Sequence, residues 1–138
     1  MPKYLLIVDY RPGDDATPMD EWKPAEIRAH MDYYGALREE LLASGELVTQ
    51  EALTGPEFGK EVVGDGVAPP VVTDGPFAES KELLAGYQVV DVVSEARAVE
   101  IAARISAVPG PGGAPLRQPI GVRRVMDGAD FDALDPAP

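Results

Sequence analysis

A single α+β domain assembled from a repeated β-α-β unit is predicted by three features of this chain. Apolar strand-like runs and helix-like stretches alternate in the order strand, helix, strand, insertion, strand, helix, strand. Both helix-like stretches carry their apolar residues on one side, which assigns both to one face of the sheet. The length of 138 residues suits one domain with one core.

The first run, Lys3–Asp9 (KYLLIVD), places Tyr4, Leu6 and Val8 on one side of an extended chain and Leu5 and Ile7 on the other. A strand of that kind is covered on both faces. Arg11–Pro18 is a loop rich in Pro, Gly and Asp, and Pro24 suits the first turn of a helix, where a missing N–H leaves no bond unmade. That helix runs to about Ser44, with Gly45 ending it. At about 100° per residue, Ile27, Met31, Tyr34, Leu37, Leu41 and Leu42 share one apolar arc, and His30 and Arg38 fall inside it, so two polar groups are expected to point inward.

Leu47–Leu53 reads as the second strand, closed by Gly55-Pro56. Lys60–Asp65 is expected to pair with Val71–Thr73 as a short ribbon, which makes residues 56–85 an insertion rather than a domain. Gly86–Val93 is the third main strand, and Ser94 then caps a helix that ends near Ser106, with Ala98, Ile101, Ala102 and Ile105 inward. A Pro- and Gly-rich loop, Val108–Pro119, leads into the last strand, Ile120–Met126. Residues 1–127 form the domain and residues 128–138 a loosely held acidic tail. Helices on one side leave the other face of the sheet bare in a monomer, so two sheets are expected to pack face to face in a homodimer.

Composition removes several classes of function. The formal charge of −12 repels phosphate backbones, which excludes a nucleic-acid partner. The apolar runs are too short to span a bilayer and the N-terminus has no leader pattern, so no membrane is expected and the location is expected to be cytoplasmic. Without cysteine there is no disulfide, thiolate nucleophile or Cys-based zinc site, and a single His excludes a histidine-rich metal cage within one chain; no metal or cofactor is assigned. The run PGPGGAPL lacks the Lys-Ser/Thr end of a phosphate loop and no helix follows it, and no Gly-x-Ser-x-Gly elbow occurs.

The residues TDGPFAESKELLAGY (73–87), with the KYLLIV strand, the EIRAH helix, GELV, PGPGGAPL and the closing IGVRRVM, resemble the DGPF branch of the YCII-related proteins over nearly the whole chain. That resemblance implies a ferredoxin-like βαββαβ core with an antiparallel sheet, a dimeric α/β barrel formed by sheet-to-sheet packing, and a pocket near the sheet and the insertion. It also implies kinship with small-molecule lyases, isomerases and dehalogenase-like enzymes that use His and Asp as acid and base. Genes of the branch often neighbour those of extracytoplasmic-function sigma factors. Many relatives carry an acidic residue where this chain has Gly121.

Histidine is the side chain whose unperturbed pKa lies near neutrality, which makes His30 the natural proton-transfer group if the protein is an enzyme; the alternative is a satisfied core residue. The related group carries a His at a comparable place, often after an Arg, as in Arg28-Ala29-His30. Asp74 is the first candidate to orient it, or is an ordinary turn carboxylate beside Gly75 and Pro76, and Asp9 is the runner-up. Candidate binding residues are Arg38, Lys81, Tyr34 and Phe77, with Lys81 and Glu79 able to meet an anion or to pair at the surface. Two functions stay open: a cofactor-independent lyase- or isomerase-type acid/base enzyme acting on a small molecule, or a noncatalytic metabolite-binding or regulatory module, drawn by its acidic surface to a basic partner such as a sigma factor.

Overall fold

The computed structural model describes residues 1–11, 13–75 and 84–135. Its elements are β1 (Lys3–Asp9), α1 (Pro24–Ala43), β2 (Leu47–Ala52), β3 (Lys60–Val63), β4 (Val71–Asp74), β5 (Leu84–Asp91), α2 (Glu95–Ser106), β6 (Ile120–Arg124) and α3 (Gly128–Leu134). The main sheet has the strand order β2-β5-β1-β6 and every pairing in it is antiparallel. This is the ferredoxin-like arrangement. β3 and β4 form a separate two-stranded ribbon, as expected for the insertion.

Alternation along the strands divides the sheet into two faces. Tyr4, Leu6, Val90 and Val92 are buried with Leu37 and Leu41 of α1 and Ala98, Ile101 and Ile105 of α2 in one core, so both helices lie on one face. Leu5, Ile7 and Val89 point the other way and are half-buried. Ser94 caps α2 by accepting from the Arg97 N–H, and Gly45 ends α1 at φ 78°, a left-handed conformation that a side chain disfavours. The α1–β2 corner is tied to α2 where Arg97 Nε and Nη2 donate to Glu46 at 2.8 and 2.9 Å.

Four expectations change. The buried stripe of α1 is narrow, limited to His30, Leu37 and Leu41 with Tyr34 half-buried, because only that side of the helix meets the core shared with the sheet and α2. Arg38 is therefore exposed rather than inward, and Met31 and Leu42 are exposed on the same flank. β5 begins two residues earlier than predicted, since Leu84 pairs with Asp9, and it stops at Asp91 because Val93 turns outward toward the Ser94 cap. β6 ends at Arg124, short of Met126. Where a loosely held tail was expected, Gly128–Leu134 is helical: Asp127 and Asp130 cap one another's N–H groups, and Arg124 pairs with Asp130 at 2.6 and 2.7 Å.

Candidate functional site

A cavity of about 600 Å³ opens where β1 runs out and β5 begins, between that end of the sheet and the first half of α1. Its volume falls within the range of small-molecule sites. Strand ends gather here for a topological reason: β1 finishes, β2 finishes and β5 starts at the same edge, so Val8, Asp9, Gln50 and Gln88 converge. Gly86 belongs to that floor, and a Cβ on it would lie 2.9 Å from the Glu51 carbonyl oxygen, which explains glycine where β5 and β2 run closest.

His30 forms part of the wall and is buried. Its Nδ1 lies 2.9 Å from the Pro109 carbonyl oxygen. A carbonyl only accepts, so Nδ1 carries the proton and the neutral ring keeps its lone pair on Nε2. Among the described residues nothing hydrogen-bonds to Nε2. Edge-on contacts from Trp22 and Tyr34, at ring-centroid distances of 5.3 and 5.1 Å, hold the imidazole in place. Pro109 is itself anchored, because the Gly112 N–H donates to Glu26 in the first turn of α1 and Leu116 N donates to the Val108 carbonyl at 2.9 Å. Donation from Gly112, and then from the Lys23 N–H, holds the Glu26 carboxyl below the usual glutamate range.

Asp9, the runner-up carboxylate, shares the cavity with His30 and is buried. Arg11 holds it, with Nε 2.9 and 3.1 Å from the two carboxylate oxygens and the backbone N–H at 2.8 Å. Gln118 Nε2 donates to the Asp9 and Arg11 carbonyls at 2.7 and 3.2 Å, locking the loop across the strand end. Asp74 stands elsewhere. It is exposed at the end of the ribbon, pairs with Lys60 Nζ at 2.5 Å and does not line the cavity. The group that fixes the histidine tautomer is thus a backbone carbonyl, not the Asp74 carboxylate.

Tyr34 lines the cavity, and burial, with a smaller contribution from Tyr33, raises its phenol above the ordinary value. Tyr33 is turned away and donates to the Arg104 carbonyl at 2.6 Å. Arg38 is not a wall residue. Phe77, Glu79 and Lys81, with Pro76 of the predicted turn, lie outside the described residues. Gly121 pairs with Ile7, so its position faces away from the cavity; a Cβ there would meet Ile7 Cβ at 3.3 Å. An acidic residue in that place would not join His30. Among the described residues no three His, Asp or Glu side chains are gathered as metal ligands. None of the described helices is long and apolar enough to cross a membrane.

Sequence reasoning missed Trp22, Pro109, Gln50 and Gln88. One signal was available: Gln88 alternates with Val90 and Val92 on the buried side of a strand otherwise apolar on that face. Nothing local marks Pro109, whose role depends on a loop folding back across 79 residues of chain.

Strand order and helix placement define a ferredoxin-like α+β domain, with a ligand-sized cavity at one end of its sheet. The chain belongs to the YCII-related domain family, which matches residues 3–113. No curated protein matches its sequence. Membership in that family points to a small-molecule-binding or enzyme-like domain.

Proposed function

We propose that the cavity binds a small organic molecule and that His30 exchanges a proton with it through Nε2, as the acid/base group of a cofactor-independent lyase- or isomerase-type reaction. One observation carries this reading: donation from His30 Nδ1 to the Pro109 carbonyl leaves a basic nitrogen that has no partner among the described residues, on a ring that walls a cavity. A histidine kept for packing alone would have both nitrogens satisfied or sealed. Asp9 is the carboxylate of the pair, contributing negative charge to the same wall, and Tyr34 is the ligand-contacting phenol.

Within the family we place the chain in the DGPF branch, on the residues TDGPFAESKELLAGY. The working unit is a homodimer joined through the sheet face of Leu5, Ile7 and Val89, which α1 and α2 leave to the outside. Light scattering at micromolar concentration reads a dimer under this assignment and a monomer against it.

The catalytic reading is tested by deuterium exchange. Small neutral carbonyl compounds are incubated with the protein in D2O and their C–H signals followed by NMR. Exchange into at least one compound is expected, reduced about 100-fold or more by His30→Gln, the lower range for loss of an acid/base group. Equal rates with both proteins overturn proton transfer. If the compounds then still bind, the domain is a noncatalytic binding module.

A further inference from the structure

Gln50 and Gln88 face one another across β2 and β5, in register, on the floor of the cavity. Gln88 is 4% exposed, and the Oε1 atoms of both side chains are buried with no hydrogen-bond partner among the described residues. Native interiors rarely leave two adjacent amide oxygens unpaired, because each has given up water and received nothing in return. A bound molecule that donates hydrogen bonds would satisfy both oxygens at once.

The wall charge narrows the class of occupant. Among the described residues Asp9 and Asp15 line the cavity beside one cation, Arg11, which is already engaged by Asp9. Turning either amide over would offer N–H donors instead of an oxygen. An anion drawn to those donors would then sit beside Asp9 and Asp15 with no unengaged cation among the described lining residues, so charge decides between the two orientations. Trp22, Met19, Met31 and Tyr34 supply an apolar and aromatic side suited to a hydrocarbon or ring, and aromatic faces also attract cations.

We infer that the cavity selects amine-bearing small molecules, with the ligand's N–H groups donating to Gln50 Oε1 and Gln88 Oε1 and its apolar part lying against Trp22 and Tyr34. The inference rests on the cavity being the ligand site and is independent of turnover by His30. It differs from a role for Arg38 in steadying negative charge, since Arg38 stands outside the cavity, while Lys81 lies outside the described residues.

Three probes of one size test it: benzylamine, benzyl alcohol and benzoate, titrated into the full chain labelled with 15N and followed through the backbone amides of Gln50, Gln88 and Gln118. Benzylamine is expected to give saturable shifts, benzyl alcohol weaker ones and benzoate none at equal concentration. Gln88→Leu should weaken benzylamine binding about tenfold or more, the scale of one lost charge-assisted hydrogen bond. Gln50→Leu repeats the test at the facing position should the first variant fail to fold. Benzoate binding as tightly as benzylamine, or affinity unchanged in a folded Leu variant, overturns the amine assignment while keeping the cavity as a ligand site. Silence from all three probes removes both.

Discussion

The walled end of the main sheet and the exposed β3–β4 ribbon hold the two carboxylates that the sequence offers as partners for His30, and they are built in opposite ways. Asp9 is buried at a strand end, clamped by Arg11 and roofed by Gln118, inside the cavity that His30 lines. Asp74 has a side chain 77% exposed and a lysine partner that is 62% exposed, on a ribbon whose eight residues all face solvent. Solvent screens the second pair, and such pairs contribute little. A carboxylate acquires a chemical role from the surface around it, and a turn motif in the sequence says nothing of that surface.

The sharpest way to break this contrast is to empty each region of an apolar side chain. Leu6→Ala, beneath both helices, should destabilise the protein by about 2–5 kcal/mol in urea unfolding. Val62→Ala on the ribbon should stay within about 0.5 kcal/mol. A ribbon variant as costly as the core variant would mean that β3 and β4 are packed, not exposed.

Next in size is the carboxylate comparison. Asp9→Ala should cost about 1–3 kcal/mol, since it removes the buried carboxylate that the Arg11 side chain and backbone N–H both hold. Asp74→Ala should cost less than about 1 kcal/mol. Equal losses would put Asp74 in a protected setting and reopen its claim on His30.

Gln88→Leu sharpens the contrast from the other side. Replacing a buried amide whose oxygen has no partner among the described residues by a hydrocarbon of similar shape should leave stability unchanged or raise it by about 1 kcal/mol, read as a higher unfolding midpoint. A marked loss would mean that Gln88 is held for stability.

The smallest effect is a pH dependence. Arg97 bonds foremost, and Ser44 in addition, hold the Glu46 carboxyl below its usual value. A group whose folded value is depressed stabilises the fold above its unfolded range, and that contribution is lost as pH falls through the folded value. Acid unfolding curves should therefore show a loss in wild type that begins as pH enters the ordinary glutamate range and is complete below the folded value, and that Glu46→Gln removes. Coincident curves would show the pair to be energetically silent.

Most of the architecture was legible because periodicity reports faces. The two-sided pattern of Lys3–Asp9, the Ser94 cap and the inward set Ala98, Ile101, Ala102 and Ile105 are local signals that the packed structure keeps. Width was not legible: the sequence wheel of α1 included Arg38, Met31 and Leu42, and only the neighbouring sheet decides how broad a stripe is covered. At the site, His30 stood out as the single imidazole and Asp9 as a strand-end acid. Pro109, which fixes the tautomer, did not, because a backbone carbonyl leaves no trace in residue identity. The pairing of Gln50 with Gln88 depends on strand register across β2 and β5, including a shift between Leu47 and Thr49 that no local pattern announces.

The central claim concerns the open nitrogen of His30, and a lone histidine makes it directly measurable. Two-bond 1H–15N correlation spectra of the labelled ring, recorded across neutral pH, separate the two tautomers without ambiguity. Protonated Nδ1 with bare Nε2 in the neutral ring, and an Nε2 signal that moves on benzylamine addition, is the predicted result. An Nε2–H tautomer, or a ring whose signals ignore the ligand, would contradict it.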